Sequence, residues 1–141
     1  MKIFLDVNIL VSVLNKEYPV FTYSSRILSL ADNAAFHVYT SPLCLAIAFY
    51  FAEKKSGSKA ALEKMRLLTG KIKIADTTGS AVAETIRNVK VNDFEDGLEY
   101  YSALHAGCSC IITEDTRDFY FSSIEVLRAH DFFVKYLAKQ D

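Results

Sequence analysis

Apolar and polar positions along this chain fall into two alternating patterns. Lys2-Ile-Phe-Leu5 is a short apolar run of the kind that buried parallel strands show. Val7 to Leu14 reads as a helix. Pro19 then opens a second one, with Phe21, Ile27, Leu28 and Leu30 beyond it, up to about Asn33. Phe36 to Thr40 is a second strand. Ser41-Pro42 offers an N-cap hydroxyl followed by proline at the first helical position, which predicts a helix to about Lys55. Its stretch Leu43 to Ala52 is apolar on every side, which predicts deep burial or a subunit interface. Ser58 to Leu68 is helical and Gly70 ends it. Lys71 to Ala75 is a short extended piece. Helices follow over about Ser80 to Asn88 and Asp93 to Ala106, the latter stopped by Gly107. In that helix Phe94, Gly97, Leu98, Tyr101 and Leu104 recur at helical spacing and predict the inward face. Cys110 to Thr113 is a third strand, Ile124 to Leu127 a fourth, and a last helix starts near His130.

Strands separated by helices imply a parallel sheet covered on both faces. No repeat, low-complexity tract or linker interrupts the pattern, so residues 1–141 read as a single domain. Hydrophobic residues make up 51% of the chain, enough for a packed core, and Gly and Pro are few. The longest apolar run falls well short of the roughly 20 residues a membrane span needs. Asp6 and Asn8 break the apolar N-terminus, which argues against a secretory signal. Three cysteines exclude a disulfide framework and point to a reducing, cytoplasmic setting.

The net charge of −1 gives no direct pointer to nucleic acid, but its distribution is uneven. Glu53 to Lys73 carries seven Lys/Arg against two Glu, a cationic surface in waiting or simply a solvated helix face. Asp93 to Asp118 carries seven Asp/Glu against Arg117 alone. In parallel α/β sheets, functional groups gather beyond the carboxyl ends of the strands. Asp6 follows the first strand; Glu114, Asp115 and Asp118 follow the third.

An acid at the end of an apolar strand is expensive to bury unless it is paired or metal-bound. Asp6 could instead cap the next helix, a role open equally to Asn8. In the second acidic group, Asn92 and Glu95 have the spacing of a capping box, which explains them without chemistry, and Asp93 is an alternative cap. Asp96 has no such specific explanation. Asp115 and Asp118, three apart in a loop leaving a buried strand, can aim at one point, although Asp is common in surface turns. Together with Asp6 and Asp96 they form carboxylates from three separate segments. Such a cluster repels itself unless something positive sits in it, and a hard divalent cation, Mg²⁺ or Mn²⁺, is the natural occupant.

The ordered set resembles a known family. Asp6-Val-Asn8 looks like the opening Asp-x-Asn/Thr of PIN-domain nucleases, Asp96-Gly-Leu with Ser102-Ala-Leu and Gly107 like their third-acid helix, and Thr113-Glu-Asp-Thr-Arg-Asp-Phe119 like their closing signature. The resemblance spans nearly the whole chain. It implies a three-layer α/β/α sandwich with a central parallel sheet. It also implies divalent-metal-dependent endoribonuclease activity on single-stranded or looped RNA, in the VapC-like manner of a toxin paired with a small antitoxin protein. By position the acids are Asp6, Asp96 and Asp115 as metal ligands, with Asp118 beside them, and Asn8 and Thr113 in support. One departure stands out. The family usually carries a Glu early in the helix after the second strand, and Ile47 is at that position. Glu53, about 1.7 turns further on, points elsewhere. A neighbour such as Asp93 or Glu114 takes over, or metal binding is weaker, or activity is lost.

That departure motivates the rival reading, a PIN-like domain without catalysis that binds nucleic acid or protein as a regulatory module. Other α/β classes with an acid after the first strand fit less well. A haloacid-dehalogenase-type phosphatase needs an acid where Asn8 stands, and no Gly-rich phosphate loop is present. His105, Cys108 and Cys110 are too tightly spaced for a usual zinc site and read as buried residues entering a strand. Tyr100, Tyr101, Tyr120 and Phe121 read as core or interface rather than base-stacking platforms. The apolar Leu43–Ala52 stretch suggests a homodimer or burial by a partner chain.

Overall fold

The computed structural model describes residues 1–138. Five strands form one parallel sheet in the order β3-β2-β1-β4-β5. They are β1 (Lys2–Leu5), β2 (His37–Thr40), β3 (Lys73–Ile74), β4 (Cys110–Ile112) and β5 (Glu125–Leu127). Phe4 pairs with Tyr39 on one side of β1 and with Ile111 on the other. The central strands are short and apolar because both faces are covered: Ile3, Phe4, Leu5, Ile111 and Ile112 are fully buried. The helices are α1 (Val7–Leu14), α2 (Phe21–Leu28), α3 (Pro42–Ser56), α4 (Ser58–Thr69), α5 (Gly79–Arg87), α6 (Phe94–His105) and a short α7 (Ala129–Phe132). Helix α1 packs on α2 and α3, α3 on α4, and α2 on α7, while α5 packs on α6. The architecture is the expected α/β sandwich with a parallel central sheet.

The chain winds from β1 outward through β2 to β3, then crosses back to β4 on the other side of β1. The order therefore reverses between β1 and β4. A crevice opens beyond the carboxyl ends of strands at such a switch point. Asp6 follows β1 there and Thr113 follows β4. Asp6 N–H donates to the Ile112 carbonyl at 3.0 Å, which carries the pairing one step past the strand ends.

Several expected elements differ in detail. The extended piece at Lys71–Ala75 contributes a fifth strand, β3, which pairs with β2 at the sheet edge with both residues exposed. A lysine on an edge strand discourages further pairing. The second helix is shorter than expected: α2 ends at Leu28 and a 3₁₀ turn covers Ser29–Asp32. Helix α3 is not buried all round. Cys44, Leu45, Ala48 and Ala52 face the core, while Tyr50 and Phe51 are about half exposed.

The largest correction concerns α6. Its N-cap is Asp93, whose Oδ1 accepts from Asp96 N–H at 3.2 Å; the expected Asn92–Glu95 capping box does not form. The predicted inward face is also displaced. Phe94 and Leu104 are exposed, and the buried positions are Gly97, Glu99, Tyr100, Ser102 and Ala103. The cause is the neighbouring helix. A Cβ on Gly97 would lie 2.4 Å from Thr85 Cγ2 and 2.9 Å from Val91 Cγ1, so α5 and the segment after it press on that side. Tyr101 turns the same way, and its hydroxyl accepts from Asn88 Nδ2 at 3.0 Å. With the apolar stripe drawn partly toward α5, the row Asp96–Glu99–Ala103 faces the sheet and the crevice.

Candidate metal centre at the strand ends

The residues after β1 and β4 are tied together by side-chain hydrogen bonds. Thr113 is fully buried. Its hydroxyl donates to Asp6 Oδ2 at 2.7 Å and accepts from Asp115 N–H at 3.0 Å. Asn8, in the first turn of α1, donates from Nδ2 to Thr113 Oγ1 (3.1 Å) and to Asp115 Oδ2 (3.2 Å), with Asp6 Oδ2 at 3.4 Å. Its Oδ1 accepts from Glu114 N–H at 3.0 Å. Asp6 Oδ1 accepts from Val7 N–H at 2.6 Å. Asp6 is thus both the cap of α1 and a carboxylate held at the crevice floor; the two readings of it are compatible. One amide nitrogen touches both Asp6 and Asp115, which sets these acids side by side.

The crevice has a volume of about 440 Å³. Its lining contains seven carboxylates, those of Asp6, Glu17, Glu95, Asp96, Glu99, Asp115 and Asp118, and no Lys, Arg or His among the described residues. An apolar wall of Val7, Val11, Ile47 and Phe51 stands among them. All four expected principal acids, Asp6, Asp96, Asp115 and Asp118, line this one space together with Asn8. Three supporting candidates do not: Thr113 is buried beneath the lining, where it bonds Asp6, and the other two turn their carboxylates elsewhere. The Asp93 carboxylate caps α6. Glu114 turns away to accept from Ala129 N–H at 3.0 Å. Neither occupies the place that Ile47 leaves without an acid, and Glu53 lies exposed outside the crevice.

Crowding shows in the electrostatics. Burial, and then the charges of Asp93, Asp118, Asp6 and Glu95, push the Asp96 carboxyl up to about 7. Asp118 is raised from the usual range by partial burial and by Asp115, Asp6 and Asp93. Glu99 is the extreme case. Burial, a hydrogen bond with Asp6, and the charges of Asp6 and Asp96 push it up to about 11. Its carboxyl lies against the Asp6 carboxylate and the Cys44 thiol, with the three ligand atoms within 4.8 Å of one another. Glu99 is 3% exposed and its Oε2 has no hydrogen-bond partner among the described residues. Burial and the two acids also push the Cys44 thiol well up, so it remains a thiol.

This donor set suits a hard divalent cation: several carboxylate oxygens, partial burial, no counter-charge among the described residues and one orphaned acid oxygen. The other sulfur candidates stay apart. Cys108 and Cys110 are buried thiols raised to about 12, and His105 Nε2 sits 2.6 Å from Glu84. They form no ligand cluster among the described residues.

Comparison with known proteins identifies the family and the fold. The profile of the PIN domain matches residues 2–117. The chain belongs to the PIN-domain family. Among curated proteins, this PIN domain is 27% identical over 135 residues to Ribonuclease VapC1 of Aquifex aeolicus (strain VF5), covering 93% of this chain and 92% of that one. Among solved structures it resembles VapBC2 from Rickettsia felis bound to a DNA fragment from their promoter, with a TM-score of 0.69 at 18% identity, covering 91% of this chain and 98% of that one. It also resembles Mycobacterium tuberculosis VapC20, a sarcin-ricin loop cleaving toxin, with a TM-score of 0.61 at 16% identity over 77% and 86% of the two chains.

Sequence reasoning missed three acids of the crevice of this PIN domain. Glu17 lies beyond α1, and Glu95 was assigned to a cap. Glu99 carried one usable signal: it lies three residues after Asp96, a spacing that sets two side chains on one face of a helix. The apolar stripe through Phe94, Leu98 and Tyr101 pointed to the wrong face and masked it.

Proposed function

We propose that this PIN domain is a divalent-metal-dependent endoribonuclease acting on single-stranded or looped RNA, and the toxin of a toxin–antitoxin pair. The observation that carries the reading is the crevice at the strand ends. Carboxylates from separate segments of the chain line it, and no cationic side chain among the described residues stands among them. Asp6, Asp96 and Asp115 would hold Mg²⁺ or Mn²⁺, with Asp118 beside them. When bound, the ion supplies a water of lowered pKa and offsets charge on the phosphate undergoing in-line attack. Thr113 and Asn8 fix the orientations of Asp6 and Asp115 through the bonds described above. Asp118, exposed at the mouth, orients a water and holds its proton transiently. The basic face contributed by Glu53–Lys73 attracts the RNA backbone, which the acidic crevice alone repels.

The names of the relatives support the substrate and partner classes. One is a ribonuclease, one is a sarcin-ricin loop cleaving toxin, and one is assembled as VapBC2. The reading includes a small antitoxin protein as partner, a homodimer formed through the half-exposed Tyr50 and Phe51 side of α3, and action in the cytoplasm. No helix among the described residues is long and apolar enough to cross a membrane. The test is Asp6→Asn, which abolishes Mn²⁺-dependent RNA cleavage while leaving the thermal transition cooperative. Cleavage that persists in that variant, or in excess chelator, rules the mechanism out.

Ile47 in the crevice wall favours one second reading, a PIN domain that binds but does not cut. A Mn²⁺ titration separates the two. The nuclease binds the ion with an affinity that Asp6→Asn removes, whereas the binding module shows no Asp6-dependent affinity.

A further inference from the structure

The mechanism above uses Asp6, Asp96, Asp115 and Asp118, and leaves three acids of the crevice, Glu17, Glu95 and Glu99, without a role. Glu99 is the most deeply buried of its acids, at 3% exposed, and nothing among the described residues satisfies Oε2. A buried carboxyl with an unpartnered oxygen is among the costliest arrangements in a folded protein. A hydrophobic residue of similar size would be more stable at such a position. Its placement is therefore informative. Glu99 lies one helical turn from Asp96 on α6, and its carboxyl reaches across to Asp6 and to Cys44 on α3, within 4.8 Å of both. Cys44 is three residues before Ile47, so the two share one face of α3. Glu99 consequently fills, from the opposite helix, space that an acid projecting from α3 would enter.

We propose that Glu99 is a direct ligand of the divalent cation, supplying from α6 the carboxylate that α3 does not offer and sharing the ion with Asp6. This inference rests on the metal-dependent reading above and deepens it. The orphaned oxygen is the free coordination position, and the Asp6 oxygen beside it is the second. The neighbouring Cys44 stays a neutral thiol and lines the site without ligating, because a hard ion prefers oxygen. Ile47 then serves as an apolar wall, and its lack of charge is no defect of the site.

The experiment is a calorimetric Mn²⁺ titration of the chain and of four variants, with circular dichroism confirming the fold. Glu99→Gln keeps the shape of the side chain and removes its ability to ligate as a carboxylate. It is expected to weaken Mn²⁺ binding at least about tenfold. Glu99→Asp keeps the charge and shortens the reach, and is expected to weaken binding by less. Ile47→Glu added to Glu99→Gln restores a carboxylate from α3 and is expected to recover most of the affinity, a rescue that a merely structural role for Glu99 does not produce. If Glu99→Gln and Glu99→Asp bind Mn²⁺ as the parent does while Asp6→Asn does not, the inference is overturned and the metal reading stands. If Asp6→Asn also binds as the parent does, both fall. A Glu99→Gln protein that loses affinity without recovery by Ile47→Glu overturns the ligand role in favour of a structural one.

Discussion

Asp6 and Glu99 lie in contact in one crevice and are buried to a similar degree, yet the protein treats them differently. Asp6 has a backbone N–H, the Thr113 hydroxyl and the Asn8 amide arranged around its two oxygens. Glu99 has an oxygen with no partner and a carboxyl that burial and its neighbours keep protonated. The contrast extends to the segments that carry them. The loops after β1 and β4 are cross-linked by hydrogen bonds before any ligand arrives. The acids of α6 are held by helix packing and repel one another. One half of the site is a finished carboxylate-holding frame, and the other half acquires its charge balance only when something positive enters. Preorganised donors on one side and pent-up repulsion on the other are how a fold makes a cation site both stereospecific and dependent on its ion.

The frame is the place to break this comparison hardest. Thr113→Val removes the hydroxyl that bonds Asp6 and Asp115 N–H and that Asn8 reaches, while filling the same space. Loss of a buried hydroxyl that serves charged and backbone partners is expected to lower stability by about 2–3 kcal/mol. It should also reduce RNA cleavage by at least about tenfold, since Asp6 and Asp115 lose their shared anchor. Urea unfolding and a cleavage assay on the same preparation check both. Full activity in Thr113→Val means the two loops are positioned by something other than this hub.

Gly97 tests the packing that aims the other half. Ala there must push against Thr85 and Val91, and overpacking of this kind is expected to be destabilising by about 1–3 kcal/mol. Thr85→Ser in the same chain removes the methyl that the new Cβ meets and should recover part of the loss. An unchanged urea midpoint in Gly97→Ala would show that α6 can shift freely, and with it Asp96 and Glu99.

Legibility of the site follows the same division. The strands are apolar runs, so β1, β2, β4 and β5 could be placed from the sequence, and with them the residues beyond their carboxyl ends, Asp6, Thr113 and Asp115. The edge strand β3 was only a faint signal, because Lys73 and Ile74 are both exposed and carry no alternation. Helix α6 misled. Periodicity assigns the inward face to the apolar stripe, but a second helix competes for that stripe at Gly97, and the face left for the sheet contains Glu99 and Asp96. A buried acid is invisible to a hydrophobic pattern by construction. The cap of α6 is hidden from the sequence for a smaller reason: Asn92 and Asp93 are both good caps, and only the backbone geometry at the helix start selects Asp93.

The strained half should also reveal itself in pH dependence. In the metal-free protein Asp96 titrates at about 7 and Glu99 at about 11, both raised from ordinary carboxylate values. The folded chain therefore binds more protons than the unfolded chain above about pH 4, and stability must fall as pH rises. For Asp96 the loss runs from the ordinary range to about 7 and then levels. For Glu99 it continues through the neutral and alkaline range. The transition temperature in chelator is expected to drop steadily between about pH 5 and about pH 9. Glu99→Gln should flatten the part above 7, and Asp96→Asn should lessen the slope below it, where Glu99 still contributes. Excess Mn²⁺ should raise the transition most at the alkaline end, where the uncompensated charge is greatest. A transition temperature that rises with pH over this window would falsify the electrostatic contrast.

The smallest expected effect sharpens the boundary of the site. Glu114 sits between Thr113 and Asp115 in sequence, but its carboxylate turns away and accepts from Ala129 N–H at the start of α7. Its backbone N–H, not its side chain, serves the frame by donating to Asn8 Oδ1. Glu114→Ala therefore removes a helix-end hydrogen bond and leaves the frame's backbone contact in place. Stability should fall by about 1 kcal/mol or less, as for the loss of a capping side chain. Mn²⁺ affinity and RNA cleavage should stay within about twofold of the parent, because a purely structural loss of about 1 kcal/mol leaves the folded fraction of a stable domain nearly unchanged. A parallel Asp115→Ala variant, one residue away, should lose both. If Glu114→Ala matches Asp115→Ala instead, the division between frame and surroundings drawn from these hydrogen bonds is misplaced, and the charge of the loop as a whole matters more than where each carboxylate points.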